Sequence, residues 1–183
     1  MTKVYNLFTT EWGHMAAVWS DSGLWELSFP RPDAAAALAD LTTPDLTEGE
    51  AHPLLAELAG QLKVYFRGYP AVFTVPVDWR GYTPFQAAVL RYTAGIAFGE
   101  VRTYGEVAKA VGAPKAARAV GGALHRNRTP IVIPCHRVIG ADGNLTGFGG
   151  GLELKKALLL LEQAGQGDTC ITGTLALNKS IFE

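Results

Sequence analysis

The chain has 183 residues, 48% hydrophobic and 18% charged, with a formal net charge of -1, a composition that fits one or two modest globular domains. The longest leucine-rich run, Leu158 to Leu161, is far short of a bilayer span, and residues 1 to 8 carry no continuous apolar segment, so a cytoplasmic, non-membrane protein is expected. Neither Cys135 nor Cys170 has a CxxC partner and His14, His52, His125 and His136 show no zinc-finger spacing, which argues for reduced thiols and against a metal.

In chain order, Val4 to Phe8, Met15 to Trp19 and Leu24 to Phe29 are strand-like runs separated by Glu-Trp-Gly and Asp-Ser-Gly turn signals, which predicts an antiparallel meander. Ala34 to Leu41 has helix-forming composition, Thr42 to Glu50 reads as a polar loop, and His52 to Tyr65 carries leucines near helical spacing before Arg67-Gly68-Tyr69-Pro70 ends it. Val72 to Val77 is a further expected strand, and Asp78 to Tyr82 a linker. No catalytic constellation stands out in this half, so His14 and His52 read as structural or surface histidines.

The second half opens on Thr83-Pro84, a helix cap followed by proline at the first helical position. Phe85, Val89 and Tyr92 give a core-facing stripe; Val101 to Thr103 is extended; Tyr104 to Val111 and Lys115 to His125 are helices joined by Gly112-Ala113-Pro114. Two short helices with a glycine turn match a helix-turn-helix, although two packed helices with no ligand read alike. Asp142-Gly143 is a hairpin signal resembling the wing of a winged helix. Gly147 to Gly151 is glycine except for Phe148, which suits close approach to a flat ligand and equally a flexible loop. Leu152 to Ala164 is the last predicted helix.

Charge divides the chain. Residues 1 to 80 carry about -5 and residues 81 to 151 about +5, which points either to a polyanionic partner for the second half or to ordinary solvated faces. In the helix Lys115 to His125, Lys115 and Arg118 lie in the first turns, where the macrodipole disfavours cations, and Ala119 and Gly121 add almost no bulk, so a close anionic surface is implied. The reactive stretch is Ile133-Pro134-Cys135-His136-Arg137-Val138. A lone cysteine is ordinarily a small buried hydrophobe; here it follows a β-branched run and a proline, where the chain is expected to leave the core.

Pro134-Cys135-His136-Arg137-Val138, the Arg118-Ala-Val-Gly-Gly helix and Asn127 before it, and Gly147-Phe148-Gly149-Gly150-Gly151 and Glu162 after it resemble, in order and spacing, the O6-alkylguanine-DNA alkyltransferases. The resemblance covers about residues 83 to 164. It implies an α+β protein: a ribonuclease-H-like α/β domain (1–80), a winged-helix alkyltransferase domain (81–165), and a tail (166–183) without a match. It implies a monomer that needs no cofactor and no metal. Its partner would be double-stranded DNA containing O6-alkylguanine, with O4-alkylthymine as a second substrate.

By the same resemblance, Cys135 is the alkyl acceptor, a water links it to His136, Glu162 orients the imidazole, and Asn127 holds the turn before the site. Arg118 replaces the flipped nucleotide in the stack, Tyr104 approaches that nucleotide, and Ala119 and Gly121 face DNA. Backbone groups of Cys135 and Val138, with Phe148, Gly149 and Gly150, form the guanine pocket. Phe148 stands where many relatives carry tyrosine, and Gly149 where some carry serine. The logic is sound chemically: displacement at an alkyl carbon needs a soft nucleophile, a thiol is weakly ionised until activated, and a stacked base must be flipped. The S-alkyl product is stable, so each molecule acts once. A rival reading is a module that recognises alkyl damage without repairing it.

Overall fold

The computed structural model describes residues 3–165. Strands β1 (Val4–Thr10), β2 (Gly13–Ser20) and β3 (Gly23–Leu27) form the expected antiparallel meander. At the first turn a Cβ on Gly13 would lie 2.4 Å from the Arg31 carbonyl oxygen, and its φ is +128°, so only glycine fits there. From Met15 to Ser20 every residue of β2 is buried, so this strand is covered on both faces. A two-residue strand β4 (Thr47–Glu48) inside the supposed polar loop adds to β1 in parallel, giving the order β3-β2-β1-β4.

Helix α1 (Ala34–Ala39) is capped by Asp33, and α2 (Leu55–Phe66) buries Leu58, Leu62, Tyr65 and Phe66, one face at helical spacing. His52 stacks on the buried Trp19 with ring centroids 4.1 Å apart, and its Nδ1 accepts from Leu54 N. Val72 to Val77 is not a strand. Pro76 has no N–H to continue a ladder, so the segment meets β3 only through the Leu24–Val77 bridge and the Leu24 N to Pro76 O bond.

Helix α3 (Pro84–Ala94) starts with a capping box between Thr83 and Gln86, and buries Val89, Leu90 and Thr93; Phe85 and Tyr92 are only half-buried. Strand β5 (Arg102–Thr103) leads into α4 (Tyr104–Ala110), where Thr103 and Glu106 form a second capping box. Gly112, at φ +76°, turns the chain toward α5 (Ala117–His125), which starts two residues later than the sequence pattern suggests. Cys135–Arg137 is one 3-10 turn. Strand β6 (Val138–Ile139) follows and pairs in parallel with β5. α6 (Leu152–Gly165) is the last described helix.

The hairpin expected at Asp142-Gly143 is absent among the described residues. Gly140 N bonds Asn144 O and Asp142 Oδ1 accepts from Asn144 N, so the residues close a local turn while β6 spends its pairing on β5.

By contacts the chain forms two units. One runs to Arg80 and takes in Arg128–Pro130; the other holds Gly81–Asn127 and the chain from Ile131 onward. Within the first, Arg128 O accepts from Leu27 N, its Nη2 donates to the carbonyls of Asp78 and Arg80, and its guanidinium lies 3.6 Å from the centroid of Trp25. The tail 166–183, with Cys170, lies outside the described residues.

Candidate active site

The loop between α5 and β6 brings the thiol to its partners. Asn127 Nδ2 donates to Ile133 O at 2.8 Å and to Cys135 Sγ at 3.2 Å, so one amide fixes both the loop and the sulfur. Between them Ile131 sits at φ +72°, a left-handed conformation costly for a β-branched residue and held here by full burial of its side chain. Cys135 itself is only 8% exposed, whereas the sequence suggested a thiol at the point where the chain emerges. The run from Ile131 to Ile139 is buried throughout, so its apolar character carries the cysteine inward.

His136 and Glu162 are both fully buried, and Nε2 of the imidazole meets Glu162 Oε1 at 2.7 Å. Consecutive side chains of a 3-10 turn diverge, so Cys135 and His136 leave the turn in different directions. Glu162 also receives Arg137 through Nε (2.9 Å to Oε2) and Nη2 (3.0 Å to Oε1), and Gly99 N at 2.9 Å. Arg137 Nη1 donates to Ile96 O at 2.6 Å.

A second buried charge is Lys155, whose Nζ donates to Val138 O at 2.7 Å and Thr146 O at 3.0 Å. Tyr104 OH donates to the same Thr146 carbonyl at 3.1 Å, and a Cβ on Gly121 would lie 3.7 Å from the Tyr104 ring. Tyr104 and Gly121, both expected to meet the DNA, are therefore neighbours, with the Thr146 carbonyl beside the tyrosine. Phe148 and Gly150 are half-buried and Gly149 is exposed, while Arg118 and Ala119 project from the exposed face of α5, away from the buried cluster.

Burial pushes the Cys135 thiol up, against the Asn127 donor, the Lys155 charge and the local backbone N–H groups, which favour the thiolate. Burial pushes His136 down, opposed by Glu162 and assisted by the charges of Arg137 and Lys155. Burial would raise Glu162, but the bonds from His136 and Arg137 win and hold it at about 2. Burial lowers Lys155 to about 8, with Cys135 pulling the other way. The site is thus a thiol beside a neutral imidazole that is backed by a firm carboxylate, the set required for nucleophilic attack with proton removal.

Lys155 and Arg137 were not singled out from the sequence as site residues. Lys155 had a signal: with Leu158, Leu159 and Glu162 it occupies the buried stripe of α6, an unusual place for a lysine. Among the described residues no group of three His, Cys, Asp or Glu is placed to hold a metal, and no helix is long and apolar enough to cross a membrane.

These features define a mixed α+β protein built around a buried cysteine–histidine–glutamate site. Residues 84–164 match the family model for the DNA-binding domain of 6-O-methylguanine DNA methyltransferase. A methylated-DNA--protein-cysteine methyltransferase of Mycobacterium bovis is 53% identical over 104 residues, covering 57% of this chain and 62% of the relative. The constitutive enzyme of that name from Bacillus subtilis is 48% identical over 118 residues, 64% of this chain and 71% of its own. The Mycobacterium tuberculosis OGT solved in complex with DNA superposes with a TM-score of 0.76 at 38% identity, covering 88% of this chain and 94% of that one. The chain belongs to the methylated-DNA--protein-cysteine methyltransferase family.

Proposed function

We propose that this protein repairs DNA by taking the alkyl group from O6 of guanine, and from O4 of thymine, onto Cys135 in a single irreversible turnover. The observation that carries this is the Asn127 Nδ2 to Cys135 Sγ bond beside the His136–Glu162 pair, in a chain that belongs to this family. The Cys135 proton passes to His136 through a water, the S–C bond forms as the alkyl C–O bond breaks, and the guanine leaves carrying the electron pair and takes up a proton. Glu162 keeps the imidazole oriented and stabilises the imidazolium formed.

The partner is duplex DNA. Tyr104, Ala119, Gly121, Val138, Phe148, Gly149 and Gly150 are read as the surface around the extruded base, with Arg118 filling the stack; unstacking costs a few kcal/mol, less at a damaged pair. α4 and α5 are read as the helix-turn-helix of a winged-helix domain spanning 81–165, and residues 1–80 as a ribonuclease-H-like domain. The tail 166–183 is given no role. The protein is read as a cytoplasmic monomer that uses no cofactor. Recognition without repair is disfavoured by the thiol itself.

The test is to mix the protein with an oligonucleotide containing O6-methylguanine, take an intact mass and map the modified peptide. One methyl on Cys135, capped at one per protein and absent in Cys135→Ala, is expected. Unmodified protein that binds the lesion tightly would replace this reading with the recognition module, and turnover beyond one would end the single-use mechanism. Arg118→Ala should slow repair in duplex DNA more than reaction with the free base.

A further inference from the structure

The carboxylate behind the imidazole has a second owner. Glu162 meets His136 through one bond but Arg137 through both Nε and Nη2, and Arg137 is itself pinned by the Ile96 carbonyl. A bidentate guanidinium pair of this kind fixes geometry as well as charge. We propose that Arg137 is a positioning residue for the proton-transfer step: locked onto Glu162, it offsets the carboxylate charge so that His136 stands neutral and ready to take the Cys135 proton. This rests on the reading of His136 as the proton acceptor.

The physical need for such a group is specific. A buried carboxylate facing an imidazole alone favours imidazolium, which has no proton affinity left to use. Arg137 carries a fixed positive charge against the same carboxylate, so Glu162 orients the ring without charging it. The charged groups acting on His136 are Glu162 and Lys155 from α6 and Arg137 from its own turn; the loop after α3 supplies the Ile96 carbonyl and the Gly99 N–H to the cluster. Among these, Arg137 is the cation bonded directly to Glu162, the residue that holds the ring.

Two substitutions separate charge from support. Arg137→Gln keeps an amide donor near Glu162 and removes the charge; Arg137→Lys keeps the charge and loses the fork. Titration of His136 by NMR in histidine-labelled protein without DNA is expected to move up by about one pH unit in Arg137→Gln and to stay near the wild-type position in Arg137→Lys. In single-turnover methyl transfer, the acid limb of the rate profile should move up with it, so that the Arg137→Gln rate falls about tenfold on the acid limb and recovers toward mild alkali. An unmoved His136 titration with a rate reduced equally at every pH would make Arg137 merely structural and overturn the proposal. An upward move in Arg137→Lys of one unit or more would overturn it too, and this variant serves alone should Arg137→Gln not fold. Failure of the wild type to accept a methyl group would refute the proposed function, while the DNA-free titration would still report on the electrostatics.

Discussion

Lys155 and Glu162 stand seven residues apart on α6 and grip the same short stretch from opposite ends: the ammonium holds Val138 O at 2.7 Å, and the carboxylate holds His136 Nε2 at 2.7 Å. Two turns of helix separate them, about 10 Å along the axis. The helix therefore fixes the length of the reactive segment and sets a positive field near the sulfur and a negative one behind the imidazole.

Removing the positive end should show at the thiol. In Lys155→Met, Cys135 is expected to react about tenfold more slowly with iodoacetamide at pH 7.5, because a cation that favours the thiolate is gone. The Val138 carbonyl, losing its ammonium donor, adds a stability loss of roughly 1–3 kcal/mol, visible in urea melts, while Thr146 O keeps the Tyr104 hydroxyl. Unchanged thiol reactivity would mean that Lys155 serves only the loop.

Asn127→Ala breaks two bonds at once. Its expected cost is about 1 kcal/mol, from the lost bond to the Ile133 carbonyl, which keeps the Cys135 N–H as a second donor, together with slower alkyl transfer as the sulfur loses a partner. Asn127→Asp should be worse for transfer than for stability, since it puts an anion beside the developing thiolate. Stopped single-turnover assays alongside denaturant curves distinguish the two effects.

Acid should destabilise the protein in two stages. His136 has its folded value below 6.5, so from 6.5 downward the unfolded chain binds the proton more readily and stability falls until the folded value is reached. Glu162 contributes stability that is complete above 4.5 and is lost as pH drops toward about 2, on the order of a few kcal/mol. Chemical denaturation at stepped pH is the measurement; His136→Gln should flatten the first stage and shrink the second, which Arg137 still sustains.

The Thr103 cap is a local test of how α4 is anchored. Thr103 Oγ1 accepts from Glu106 N, and Glu106 Oε2 accepts from Thr103 N, so Thr103→Ala should cost about 1 kcal/mol in a thermal or urea melt. A loss below a few tenths would indicate that packing alone holds the helix.

The legible parts of this fold were those with local causes. The meander could be read because each turn announces itself in glycine and polar residues, and α3 because Thr83-Pro84 is a start signal written in two letters. The strand at Val72 to Val77 failed because β-branched residues state a preference while Pro76 decides the pairing. The Asp142-Gly143 hairpin failed because a turn signal cannot say whether β6 will pair forward or with β5. In the site, the cysteine and its adjacent histidine stand out in the sequence. Asn127 reaching Cys135 depends on the path through Ile131, and Arg137 reaching Glu162 depends on α6 folding back, so neither contact follows from spacing. Lys155 was readable in principle, from a charge placed on an apolar stripe.

Arg128–Pro130 complete the first unit although they are made after Gly81–Asn127. During synthesis from the N-terminus, the outer edge of β3 waits for the Arg128 carbonyl that will accept from Leu27 N, a delay of roughly 5–20 s at ordinary elongation rates. The first unit is thus born open and closes only when the chain leading to Cys135 has been made. A fragment ended at Arg80 would keep the Leu24 end of that edge bridged to Val77 but leave Leu27 N without this partner, exposed to other strands.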